Sequence, residues 1–139
     1  MIEFDIKVQR PTILVQGKGA LNEGITALTG ASGNGKSTLL KSLAGLIKPK
    51  DGFIRHDGIY WFHKEKNIFV KPQGREVGYM PQGNVVFSHM NVVHNITYSK
   101  RGDEELLSRI LERLHLEQYT NTKAGKLSGG EQQLSLIHI

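Results

Sequence analysis

Ile2, Phe4, Ile6 and Val8 alternate with Glu3, Asp5 and Lys7 at the start of the chain, the period-two pattern of a strand with one face in a core. Pro11 breaks the pattern, and a second strand is expected over Thr12 to Val15, followed by a turn region from Gly17 to Gly24. Ile25, Thr26, Ala27 and Leu28 form a β-prone run leading straight into glycines, which predicts a buried strand feeding a loop. From Lys36 the segment KSTLLKSLAGLI sets Leu39, Leu40, Leu43, Leu46 and Ile47 near helical spacing, and Gly45 followed by Pro49 supplies a stop. Further short strands are expected at 52–55, 68–70 and 77–80, with turns at Asp57-Gly58 and Pro72 to Gly74. The pattern then turns helical. Asp103 can cap a segment with Glu104 and Glu105 in its first turn and Leu106, Leu107, Ile110, Leu111 and Leu114 on one face.

Composition adds limits more than direction. The 139 residues are 38% hydrophobic and 22% charged, too apolar and too evenly mixed for a disordered chain and enough for one domain or a large piece of one. The formal charge of +5 is spread over scattered Lys and Arg residues, so it does not point to nucleic acid by itself. Without cysteine there is no disulfide framework and no thiolate metal site. MIEFDIKVQRP has no apolar stretch of a signal peptide, and nowhere do about 18 apolar residues run together. The six histidines, His56, His63, His89, His94, His115 and His138, form no ligand spacing with one another or with carboxylates. Tyr60, Trp61 and Phe62 are expected to pack in a strand, not to form a ligand platform.

The chemistry concentrates in residues 30 to 38, GASGNGKST, which satisfy G-x-x-x-x-G-K-[ST] from Gly30 through Ser37. Glycines at 30, 33 and 35 let the backbone bring successive N–H groups onto anionic oxygens. The loop opens a helix, whose first N–H groups and dipole favour negative charge. Lys36 can then reach the β- and γ-phosphates, Ser37 can ligate Mg²⁺ and Thr38 can add a hydroxyl to the α-phosphate. The candidate nucleotide contacts are Gly30, Ser32, Gly33, Asn34, Gly35, Lys36, Ser37 and Thr38. This loop alone fits kinases, GTPases and many ATPases.

A second motif, LSGGEQQ at 127 to 133, narrows the choice. Ser128 and Glu131 make an S-x-x-E capping box, which by itself only opens a helix. Gly129 and Gly130 after the capping Ser would also expose N–H groups at a positive helix end, suited to a second phosphate contact. With GASGNGKST, LSGGE and Gly78-Tyr79-Met80-Pro81-Gln82 in that order, the sequence resembles the ATP-binding cassette (ABC) ATPase family, where these are the Walker A, signature and Q-loop motifs. The resemblance implies an α/β fold: a P-loop NTPase core with a parallel sheet, an N-terminal antiparallel β subdomain and a helical subdomain, incomplete at the C-terminus. Its expected parts are 1–82, the β part and P-loop core, and 83–133, the helical subdomain ending in the signature.

The resemblance also implies ATP and Mg²⁺ as cofactors and a head-to-tail dimer with a second ATP-binding subunit. There, ATP on one Walker A is closed over by Ser128, Gly129 and Gly130 of the other copy. Lys36 and Gln82 are the implied catalytic residues, with Ser37 and Gln82 on the metal, and residues near Phe87 to Asn95 face transmembrane permease subunits. The expected location is peripheral, on the cytoplasmic face of the plasma membrane, with no nucleic acid partner. NEGITALTGASGNGKSTLLKSLAGL, KPQGREVGYMPQ and FSHMNVVHNITY are similar to molybdate importer subunits, so the implied cargo is molybdate or another oxyanion. A soluble ABC ATPase acting on ribosomes or DNA, and an inactive nucleotide-binding remnant, are the alternatives; no heptad run of a coiled coil separates the two motifs.

Two departures from the family pattern stand out. Where the family places an aromatic residue to stack on adenine, this chain has Gln9, Arg10 and Pro11. The Arg10 guanidinium can stack, or can be a solvated surface group. After Gln133 the sequence reads LSLIHI at 134–139 instead of running on into an Arg and a long helix. One codon choice for it, CTG TCT CTT ATA CAC ATC, resembles a transposase end sequence used as a sequencing adapter, so these residues are expected to be non-native. The family's Walker B carboxylate, the Glu beside it and the switch His have no counterpart in the chain, so the 139 residues alone are expected to show no ATPase activity.

Overall fold

The computed structural model describes residues 1–83, 86–98 and 104–130. The chain divides into two units, Met1–Tyr79 and Met80–Ile139.

The first unit is a five-stranded sheet with one helix on it. The strands are β1 (Ile2–Gln9), β2 (Leu14–Leu21), β3 (Asp51–His56), β4 (Ile59–His63) and β5 (Ile68–Phe69), in the order β2-β1-β3-β4-β5 with every neighbouring pair antiparallel. The alternation in β1 is realised as expected: Phe4, Ile6 and Val8 are buried with Val15, Ile54 and Phe62. On the opposite face of β1, Glu3 is held by Arg55, Nη2 donating to Oε1 at 2.8 Å and Nε lying 2.6 Å from Oε2. Burying each of the large core side chains is worth about 1.5–3 kcal/mol, so this alternation is the main reason β1 lies at the centre. Trp61 is the extra residue of a bulge, since Ile54 faces Phe62 while Arg55 faces Tyr60. All three aromatics of 60–62 lie in β4, and Trp61 and Phe62 are buried. Asp57 and Gly58, both at positive φ, make the β3–β4 turn.

Helix α1 (Lys36–Leu43) packs on β1 and β2 through Leu39 and Leu43. It is shorter than its apolar spacing suggests. Leu46 N–H donates to Lys41 O at 2.8 Å and Gly45 N–H to Ser42 O at 3.1 Å, the paired bonds that close a helix when the residue after its C-cap is left-handed. Gly45 has φ 82°, so Leu46 and Ile47 lie past the end.

Three expectations about strands need correction. Gly17 to Gly24 is not all turn, because β2 starts at Leu14 and runs on to Leu21. Gly17 suits this stretch since a Cβ there would come within 2.9 Å of Leu39 and 3.4 Å of Phe4; the glycine is a packing surface, not a turn. Ile25 to Leu28 joins no ladder and is exposed, with Ile25 fully so. Residues 77–80 likewise form no strand. A strand persists only where a neighbour takes its backbone hydrogen bonds, and no described strand runs beside either segment, so the expected parallel ladder is absent among the described residues.

The second unit is helical. Here α2 (Val92–Ile96) and α3 (Glu104–Leu114) bury Val92, Ile96, Ile110 and Leu111 with Leu116 and Leu127, and Leu106, Leu107 and Leu114 pack around them. The helical stripe of α3 is therefore the one expected, although Asp103, its anticipated cap, lies outside the described residues. Helix α2 was not anticipated. Asn91 caps it, its Oδ1 accepting from His94 N–H at 2.8 Å.

Candidate functional site

The segment from Gly30 to Gly35 is a loop with Gly30, Gly33 and Gly35 at φ 145°, 84° and 84°. Gly35 is the N-cap of α1, so no side chain caps the helix, and no acidic residue stands in its first turn. An ordinary helix start carries a polar cap and acidic side chains to satisfy its free N–H groups. This one has Lys36, Ser37 and Thr38 instead, an end that suits an anion brought by a ligand. Close packing fixes it in place, because a Cβ on Gly35 would fall 2.5 Å from Val15 Cγ2 on β2.

Lys36 folds over the loop, its Nζ donating to Gly30 O at 2.7 Å and Ala31 O at 2.8 Å. The cation thus spans the mouth of the loop between its first residues and the helix. Gly33 has open space where a Cβ would stand, and Ser32, Asn34 and Ser37 are exposed. Thr38 is half-buried, and its carbonyl accepts from Ser42 Oγ at 2.8 Å. The structure places Gly30, Ser32, Gly33, Asn34, Gly35, Lys36, Ser37 and Thr38 together on one loop and the first turn of the helix that follows it. Among the described residues no three His, Asp or Glu side chains converge on a metal position. The exposed Ser37 hydroxyl fits Mg²⁺ only in the manner of an ion held mostly by phosphate oxygens and water.

Gln82 and the signature residues belong to the second unit. Gln82 is exposed in a bend before Gly83 at φ 103°. Ser128 directly precedes helical Gly129 and Gly130, and both glycines are exposed, with nothing among the described residues within 4 Å of a Cβ position. Glu131, the other half of the expected capping box, and 134–139 lie outside the described residues. Gln9 closes β1, and Arg10 is exposed in the β1–β2 turn, with its N–H donating to Ile13 O at 2.9 Å.

Two polar residues that the motifs did not single out are buried and hydrogen-bonded several times over. Arg75 is 4% exposed, and its guanidinium donates from Nη1 to Ser42 O at 3.0 Å and Leu43 O at 2.6 Å, and from Nε to Val70 O at 2.9 Å. Burial pushes its pKa down to about 10, which leaves it charged at neutral pH. Asn95, 1% exposed, bonds Phe87 from both sides, Phe87 N–H donating to Oδ1 at 2.8 Å and Nδ2 donating to Phe87 O at 3.1 Å. Its Nδ2 also donates to Asn91 O at 3.0 Å, so one carboxamide shapes the loop after Gln82. Nothing in the spacing around either residue signals this; only a buried position can.

The comparisons agree with this geometry. The family model for the ABC transporter matches residues 19–139. The molybdenum import ATP-binding protein ModC of Pseudomonas syringae pv. tomato is 37% identical over 139 residues, covering 95% of this chain and 38% of the relative. The corresponding ModC of Paramagnetospirillum magneticum is 30% identical over 138 residues, 96% of this chain and 38% of its own. A solved bacterial Atm1-family ABC exporter with ATP bound superposes with a TM-score of 0.78 at 24% identity, over 99% of this chain and 26% of that one, a likeness of fold. The chain thus spans about 38% of the length of these ModC relatives. With the lysine-spanned glycine loop at the head of α1 and the family match over 19–139, the chain belongs to the ABC transporter family.

Proposed function

We propose that the protein is the ATP-binding subunit of an importer and couples ATP hydrolysis to uptake of an oxyanion of the molybdate class. The observation that carries the nucleotide part is the uncapped start of α1 beneath Lys36, whose ammonium lies 2.7 Å and 2.8 Å from two loop carbonyls. Two ModC relatives at 37% and 30% identity favour the cargo.

In this reading the N–H groups of residues 33 to 38 bind the phosphate chain, and Lys36 exchanges its loop carbonyls for β- and γ-oxygens. Ser37 orients Mg²⁺, which when bound neutralises charge on the transferring phosphoryl group. Gln82 positions the metal or the attacking water. Ser128, Gly129 and Gly130 of a second, head-to-tail copy complete the site across the dimer, and the Phe87 to Asn95 segment docks on transmembrane permease subunits. The subunit sits peripherally on the cytoplasmic face of the membrane. Among the described residues no helix is long and apolar enough to cross a membrane. Residues 1–82 form the β part and nucleotide core, and the helical part begins near 83.

The test is ATP turnover by the full-length subunit assembled with its permease and solute-binding protein. Stimulation by molybdate and not by a sugar supports the proposal. Stimulation by a sugar with no response to any oxyanion overturns the cargo assignment.

A further inference from the structure

We infer that Arg75 is a positioning residue for nucleotide turnover: its buried guanidinium holds the end of the Lys36 helix to β4 and the segment after β5. The inference rests on the proposed ATPase function. Four carbonyls surround the group, those of Ser42 and Leu43 at the end of α1, Val70 after β5, and Trp61 in β4 at 3.4 Å. The Trp61 and Phe69 rings lie 5.4 Å and 5.6 Å from its Cζ. No carboxylate pairs with it among the described residues, and the negative end of α1 supplies the compensating charge. Gly45 makes the approach possible, since a Cβ there would lie 2.8 Å from Arg75 Nε.

A cation is a poor choice if stability alone is at stake. Stripping water from a guanidinium is costly, and an apolar side chain between the two rings would avoid that cost. What the planar fork adds is geometry, because several carbonyls from different elements must line up to satisfy it at once. An eight-residue helix is a rod roughly 12 Å long. Its start is seated against Val15 at Gly35, and Arg75 holds its end, so the axial position of Lys36 and Ser37 is set from both sides. The backbone of Arg75 belongs to the same joint. Its N–H donates to Pro72 O at 3.0 Å and its carbonyl accepts from Val77 N–H at 2.8 Å, with Val77 packed on the core. Loss of the fork should therefore let Lys36 and Ser37 shift along the helix axis, which disturbs turnover more than the multipoint hold on the phosphates.

The experiment compares R75M and R75K with wild type in the full-length subunit assembled with its membrane partners, reading kcat, KM for ATP and thermal midpoint. R75M is expected to lower kcat about tenfold with KM within about threefold of wild type. R75K keeps the charge but loses the fork, and its kcat is expected between the two. A kcat equal to wild type in R75K, or a KM that rises as much as kcat falls, overturns the inference, and R75K alone decides if R75M does not fold. K36A is the control for the underlying reading. Undiminished ATP affinity in K36A contradicts the ATPase function itself, whereas an inactive K36A beside fully active Arg75 variants contradicts only the role of Arg75.

Discussion

The two glycine-bearing segments, one in each unit, differ in how tightly their surroundings hold them. Gly35 is jammed against Val15, and Lys36 already spans its loop. Among the described residues nothing approaches a Cβ position on Gly129 or Gly130, which stand exposed behind Ser128. The first loop has a shape set by the sheet beneath it, while no described residue packs against the second. The same contrast runs through the two polar hubs. Arg75 fixes a helix end with a charge among carbonyls, and Asn95 fixes a loop with a neutral amide that both donates and accepts. A pre-formed site tolerates little substitution, and an exposed one fails only when a partner must fit against it.

The sharpest way to break the comparison is to add one methyl group to each segment. Gly35→Ala places a Cβ 2.5 Å from Val15 at φ 84°. It is expected to lower nucleotide affinity by at least about tenfold and to destabilise the fold by about 1–3 kcal/mol. Gly129→Ala should leave both within about 0.5 kcal/mol of wild type. Titration with a fluorescent ATP analogue and thermal melts check the pair, and equal losses would erase the distinction.

Asn95→Ala tests the second hub. Removing a carboxamide that serves Phe87 N–H, Phe87 O and Asn91 O leaves part-buried groups without that partner, at an expected cost of about 0.5–1.5 kcal/mol. Hydrogen exchange should rise in 86–91 and stay unchanged in β1 to β5. Exchange rising equally in the sheet would show that the two units do not respond separately.

The smallest effect is on pH dependence. The Arg55 bond holds the Glu3 carboxyl below its ordinary value, so this pair contributes stability above that value and loses it as pH falls through the lowered one. The Met1 ammonium does the same for Asp57. Glu3→Gln should lower stability at neutral pH and flatten the acid side of the profile, so that variant and wild type converge as pH falls through the lowered value. A difference that appears only at acid pH, or that persists undiminished below that value, would contradict the assignment.

Much of this was legible in the sequence where a pattern is local. The alternation of Ile2 to Val8, the apolar stripe of α3 and the G-x-x-x-x-G-K-S spacing each encode their own geometry. Residues whose conformation depends on a distant neighbour were not legible. Ile25 to Leu28 reads as a strand by composition, yet no described strand pairs with it. Gly17 reads as a turn but lies in β2 under Leu39. Arg75 and Asn95 look like ordinary polar residues until their burial is known, and Asn91 shows itself as a helix cap only through the bond its side chain accepts from His94 N–H.

The central claim is that the loop beneath Lys36 holds the nucleotide and that the Ser128 segment acts only when two copies meet. Equilibrium binding of ATP by the full-length subunit, measured for wild type, Lys36→Ala and Ser128→Arg together with the ATP-dependent dimer fraction, tests it most directly. Lys36→Ala is expected to lose affinity by at least about tenfold, since a cation at the phosphates is removed from a partly shielded site. Ser128→Arg is expected to bind ATP as wild type does and to remain monomeric. Equal loss of ATP affinity in the two variants, or ATP-driven dimers of Ser128→Arg, would contradict the account.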